Sequence, residues 1–283
     1  MRDQGRQVAA GPRHRAGGAG RGRFSRLRFA AFALAGLLLW APPVAAQDLR
    51  SGGEATVAEI VDGDTLVLDD GRTVRLVGIQ APKLPLGRPG FVAQPLADDA
   101  KTALETLTFG SRVSLSYGGR QTDRYGREVA HLHLDTGVWV RGELLRLGFA
   151  RVYSFADNRA LIAEMLALEG AARAAGLGIW ASDSYRVRTV AETPALIDRF
   201  ELVEGEVVDT ALVRGRGYLN FGPDYRTDFT VSIAPRDMRA FRDAGLGPES
   251  YAGRRVRVRG WIKSLNGPMI DVTHPEQIDV VDR

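Results

Sequence analysis

The chain of 283 residues is 45% apolar and 25% charged, enough for one or two domains with real cores and incompatible with wholesale disorder. It has no cysteine, which excludes disulfides, thiolate metal sites and cysteine nucleophiles. Its formal net charge of +4 belongs to an arginine-rich start, and the rest of the chain carries no general basic field for nucleic acid.

Residues 1–46 read as an export signal. Arg26 and Arg28 form a basic flank, Phe29 to Trp40 is an apolar run too short to span a bilayer comfortably, and Val44 and Ala46 are the small residues before a cut at Gln47. A retained anchor is the alternative, and the Gly/Arg-rich stretch at 11–23 reads as an extended start. Removing this segment takes away eight arginines and one aspartate and leaves 30 basic against 33 acidic residues. The expected mature protein is therefore exported, periplasmic or secreted, slightly acidic and without a stable membrane span. Its oligomeric state is left open.

From residue 54 the pattern alternates as strands: "ATVAEIV", then "TLVLDDGRTVRLVGI" with Asp70-Gly71 as a hairpin turn. Pro95 to Gly110 has helical spacing of Ala97, Ala100, Leu104 and Leu107, followed by strands "SRVSLSYGG" and "EVAHLHLDTGVWV". "RGELLRLGFARVY" is a short helix stopping at Gly148. Asn158 to Trp180 is a longer helix with Leu161, Met165, Leu168 and Ala172 on one face. Strands, helix, strands, helices is the order of a five-stranded OB barrel with capping helices over 47–181, mainly β in class. A polar linker at 182–200 and a second, smaller OB-like barrel at 201–283 follow, by pattern.

Four clusters carry the chemistry: "VDGDTLVL" at 61–68, "RLVGIQAP" at 75–82, "TDRYGR" at 122–127, and "LLRLGFARV" at 144–152 with "GIW" at 178–180. In this order they resemble the staphylococcal nuclease (thermonuclease) family over about 130 residues. The resemblance implies a calcium-dependent phosphodiesterase acting on DNA or RNA. Asp64 would be a calcium ligand, and Arg75 and Arg127 phosphate contacts. The family's second calcium carboxylate and its general base would fall at Gln80 and Lys83, where this chain has neither acid.

A hard cation is held by anionic oxygens. Gln80 keeps an oxygen without the charge, the Ala81 carbonyl can still coordinate, and an ammonium about 6 Å from a divalent ion repels it by roughly 5 kcal/mol at an effective dielectric near 20. Lys83 is thus expected either to stand where the cation would be, paired with Asp64, or to join Arg75 and Arg127 in clamping a phosphate. The expected protein binds nucleic acid or another phosphodiester polymer with cleavage lost or reduced. The alternatives are an active metal-dependent nuclease, with a different acidic residue or a Lys83 of depressed pKa as base, and an envelope scaffold. Taken without the other motifs, Asp62 and Asp64 also fit a plain polar turn, and Asp123 reads as a turn residue. His131 and His133 share a sheet face without a third ligand.

In the second barrel Tyr218, Phe221, Phe229 and Trp261 are candidate base-stacking residues beside the arginines 254, 255, 257 and 259. Alternation places Val256 and Val258 inward and the arginines outward, as any soluble strand would.

Overall fold

A computed structural model describes residues 49–281, and the segment read as an export signal lies outside them. The first strand, β1 (Arg50–Asp62), is long because it serves two neighbours. Its first half pairs with β5 (Arg112–Tyr117) and its second with β2 (Thr65–Leu68). Register shifts at 51–54, 57–59 and 60–62 let it curl. β2 turns into β3 (Thr73–Leu76) through a loop wider than Asp70-Gly71 alone: the Leu68 amide donates to the Arg72 carbonyl, and Gly71 sits at φ +85°. β3 pairs in parallel with β6 (Glu128–Leu134), which pairs with β5, so the order β1-β2-β3-β6-β5 closes a barrel. This is the expected OB topology.

Period-two alternation puts Val57, Leu66, Leu68, Val74, Leu76, Val113, Leu115, Ala130 and Leu132 inside, where each of the branched side chains contributes about 1.5–3 kcal/mol. A short strand β4 (Ile79–Gln80) leaves the barrel, and α1 (Ala97–Thr108) and α2 (Val140–Arg146) cap it through Leu104, Leu144 and Leu145. After α2, β7 (Arg151–Val152) pairs with β4. α3 (Ile162–Ala174) buries Ile162, Met165, Glu169 and Ala172, a face one residue round from the expected one and with a carboxylate in it.

The polar stretch expected as a linker is built into the second β unit. β8 (Arg188–Thr189) pairs in parallel with β9 (Phe200–Glu206), and Glu192 caps the intervening turn by accepting from the Thr189 amide at 2.9 Å. The correction has a simple cause: short polar segments hide a sheet edge, because edge strands need only one hydrogen-bonded side.

β10 (Asp209–Val213) pairs with β11 (Arg216–Asn220), and β11 with β12 (Thr230–Ile233). A short helix α4 (Met238–Asp243) leads on to β13 (Arg255–Ser264), β14 (Pro268–Val272) and β15 (Ile278–Val280). β12 pairs in parallel with β14, β14 with β13, and β13 with β9. β9 and β10 act as one strand broken at a corner. The Val207 amide donates to Arg254 on the β13 side and the Val208 amide to Asn220 on the β11 side. The path therefore repeats the order of the first barrel, including its parallel pair.

The two β units are joined by a buried ion pair. Glu169 of α3, fully buried, accepts from Arg259 of β13 at 3.0 and 3.1 Å, from Arg173 at 3.0 Å and from the Val152 amide at 2.5 Å. Arg259 was expected to face solvent. It is 2% exposed because the first barrel supplies a carboxylate opposite it.

Candidate functional site

The corner between β1 and β2 is the base of the site. The Asp62 carboxylate accepts the Asp64 amide at 3.0 Å, closing a tight turn whose ends pair as Asp62 and Thr65. A Cβ on Gly63 would come within 2.7 Å of Ala100 and 2.8 Å of Ala81, so the turn lies flush on α1 and on the "QAPK" segment. Asp64 is fully buried there, and its Oδ2 accepts the Ala81 amide at 2.9 Å and its Oδ1 the Thr65 hydroxyl at 3.1 Å. The Ala81 backbone thus meets Asp64 with its N–H.

Lys83 completes the cluster. Its Nζ donates to Asp64 Oδ1 at 2.5 Å and to Asp62 Oδ2 at 3.2 Å. Gln94 fixes its backbone from the far end of the 84–96 loop, accepting the Lys83 amide and donating to the Lys83 carbonyl, each at 2.9 Å. Arg75 approaches from β3, with Nη2 3.9 Å from Asp64 Oδ2 and 3.3 Å from the Ile79 carbonyl it donates to.

These charges push the two carboxyls apart. Burial drives Asp64 up, but the charges of Lys83 and Arg75 and the hydrogen bonds from Lys83 and the Ala81 amide outweigh it and hold the group at about 2. Asp62 goes the other way: burial and the Asp64 charge raise it, and Lys83 offsets only part.

Such a donor set does not fit calcium. Two carboxylates face each other, but the ammonium between them takes the position a cation would need, and no third acidic or imidazole ligand joins them among the described residues. Gln80 does not stand in: its Oε1 accepts from Arg151 Nε at 3.1 Å and Nη2 at 2.9 Å. Arg151 is buried against the rings of Phe200 and Tyr185, and burial lowers its pKa to about 10.

Arg127 lies one residue before Glu128, the partner of Val74, and so at the mouth of the β3–β6 pair. Its contacts stay in its own loop, with Asp123 at 2.6 Å and the Tyr125 ring at 5.4 Å. Asp123 is the turn residue expected, accepting the Tyr125 amide at 2.8 Å and the Arg127 amide at 3.1 Å. The structure therefore gathers Asp62, Asp64, Arg75, Ala81 and Lys83, and leaves the side chains of Gln80 and Arg127 with other partners.

The histidine pair is not a site. His131 is fully buried and contacts Arg141, and the ring of Trp139 lies 6.3 Å from it and 6.5 Å from His133. In the second unit Phe221 and Phe229 are 8% and 2% exposed, with ring centroids 5.0 Å apart. They form core and cannot stack bases, a correction to the sequence reading. Tyr218 is half-buried on β11, and Trp261 is 50% exposed.

Sequence reasoning missed Tyr153, Arg151 and Glu169. Tyr153 lies under Arg75, with the guanidinium carbon 6.0 Å from the ring centre, and its hydroxyl accepts Trp261 Nε1 at 3.0 Å. Only Glu169 left a signal: it falls on the apolar face of its helix at helical spacing from Met165 and Ala172.

The family model for staphylococcal nuclease homologues matches residues 73–182, a span that holds Arg75, Gln80, Lys83 and Arg127 and begins after the Asp62–Asp64 corner. A thermonuclease of Staphylococcus hyicus is 28% identical over 121 residues, covering 41% of this chain and 70% of its own length. One of Staphylococcus intermedius is 31% identical over 107 residues, 37% of this chain and 58% of its own length. Protein ParB of Escherichia coli is 36% identical over 181 residues, covering 58% of this chain and 88% of its own length. With a closed OB barrel and the "DGDT" corner with Arg75 beside it already in place, these matches mean that the chain belongs to the staphylococcal nuclease homologue family.

Proposed function

We propose that this protein is an exported nucleic-acid-binding member of its family in which phosphodiester cleavage is lost or strongly reduced. One observation carries the reading: the Lys83 ammonium sits 2.5 and 3.2 Å from the two carboxylates that would otherwise share a divalent cation. A positive charge supplied by the chain neutralises the acidic corner without metal. Arg75 remains beside it, with 15% of its side chain exposed, and Arg127 remains at the barrel mouth, with 30% exposed. Forked guanidinium groups suit phosphate oxygens, so such a site holds a phosphodiester by charge and geometry. What it lacks is a carboxylate free to activate water, since both nearby acids are engaged by Lys83.

The test uses the chain from Gln47 onward with single-stranded DNA and RNA, with calcium varied over the millimolar range. Binding that weakens steeply with added salt is expected, because phosphate contacts release counterions. Strong calcium-dependent cleavage that disappears in Arg75→Ala would overturn the loss of activity and favour the second reading, a working metal-dependent nuclease. That reading draws on Lys83 being 19% exposed on a flexible stem, so that a bound substrate and cation could displace it. Binding without salt dependence would favour an envelope scaffold instead.

A further inference from the structure

The aromatic side chains beside the site form a continuous track that crosses from one barrel to the other. It begins at Arg75, which lies over Tyr153. The Tyr153 ring meets Phe155 at 5.0 Å and Phe200 at 4.8 Å, and Phe200 meets Trp261 at 6.3 Å. Two members remain open to solvent, Phe155 at 43% and Trp261 at 50%. Next to Trp261 lies a cavity of about 230 Å³ lined by Gln80, Phe91, Arg151, Arg199, Phe200 and Glu201, among others. Its glutamate is already matched by Arg188 at 3.5 Å and Arg199 at 3.4 Å.

The position of Trp261 is built in. Arg259 and Trp261 are two apart on β13, so both project from the same face of the strand. The first is locked into the other barrel by Glu169, and the second donates to Tyr153 at 3.0 Å. An exposed tryptophan held rigidly at one end of a track that starts on a phosphate-binding arginine has the form of a stacking platform. Every nucleobase has a π-face, and rigid aromatics beside cations recognise single strands for that reason.

We infer that Trp261, with Phe155 on the same track, is a base-stacking subsite for single-stranded nucleic acid whose phosphate is held at Arg75, so that the second β unit extends the binding surface of the first. The inference rests on the nucleic-acid reading above. It also predicts a preference that phosphate contacts alone do not give: unpaired, base-bearing strands over duplex and over a bare phosphodiester backbone.

The experiment measures fluorescence anisotropy of a labelled short oligothymidylate and of an abasic phosphodiester of equal length, at fixed salt, with the chain from Gln47 onward. Wild type should bind the oligothymidylate about 10-fold more tightly than the abasic oligomer. Trp261→Ala should remove most of that difference and leave abasic binding unchanged. Trp261→Phe, which keeps a stacking face but loses the bond to Tyr153, should stay close to wild type. Equal affinity of wild type for the two oligomers, or an unchanged oligothymidylate affinity in Trp261→Ala, overturns the subsite while the phosphate reading stands. Equal losses in Trp261→Phe and Trp261→Ala overturn it too, by making the residue a structural prop. Failure of wild type to bind either oligomer removes the phosphate reading and this inference together.

Discussion

Replacing Lys83 with methionine keeps an unbranched side chain only one atom shorter and removes the charge that neutralises Asp62 and Asp64. The Asp64 carboxyl sits at about 2 in the folded protein against 3.8 when unperturbed. At neutral pH that difference is worth about 2 kcal/mol of stability. Its folded pKa is depressed, so this stability is present above pH 3.8 and is lost as pH falls through about 2. Without Lys83 the balance reverses. Burial is the largest influence on both carboxyls and remains, the Asp64 charge still raises Asp62, and with the Lys83 charge and hydrogen bonds gone both pKa values move up. Removing one side of a buried charge cluster costs about 3–5 kcal/mol, which for a chain of this size lowers Tm by on the order of 10 °C. Thermal unfolding followed by circular dichroism at pH 7 should show that drop in Lys83→Met. The gap should narrow toward pH 4 as the two carboxyls take up protons, and calcium should recover part of it at pH 7, because a cation bound only by the folded state stabilises by mass action. A variant as stable as wild type at pH 7, or a gap that ignores pH, would refute the role given to the ammonium.

Changing Gln80→Asp together with Lys83→Glu alters the local charge by about three units and should create calcium-dependent thermal stabilisation and measurable nuclease activity, each single change doing much less; differential scanning fluorimetry and a cleavage assay check it. Glu169→Gln leaves buried Arg259 with Asp279, at 3.3 Å, as its remaining carboxylate, and should cost about 3 kcal/mol in urea unfolding, with Arg259→Met added to it recovering part of the loss. His274 is fully buried with its ring nitrogens bonded to Ser154 at 2.7 Å and Thr273 at 2.9 Å, and burial lowers its pKa from 6.5 to about 4. The unfolded chain therefore takes up this proton first, and stability should fall by about 3 kcal/mol as pH drops from 6.5 to 4, a slope that His274→Gln should flatten.

Much of the fold was legible because it is local. Period-two runs such as "TLVL" and "TVRL" and the helical spacing of Ala97, Ala100 and Leu104 are properties of neighbouring residues, and their order is sufficient to name an OB barrel. The acidic corner, Arg75 and the substitutions at Gln80 and Lys83 could likewise be read, since short motifs carry their own geometry. What Lys83 does with its charge was left between two choices, pairing with the aspartates or clamping a phosphate. Only the packing of the 84–96 loop, closed by Gln94, aims it at Asp62 and Asp64. The second β unit shows the limit more sharply. Phe221, Phe229 and Trp261 look alike in sequence, yet the first two face the core and the third opens beside Tyr153. Arg257 and Arg259 look alike as well: one salt-bridges Glu204 within its own sheet at 2.8 Å, and the other is buried on Glu169, 90 residues away along the chain. Alternation states that a side chain points away from its own core. Whether water or another barrel lies on that side depends on contacts between distant segments, which only the assembled chain decides.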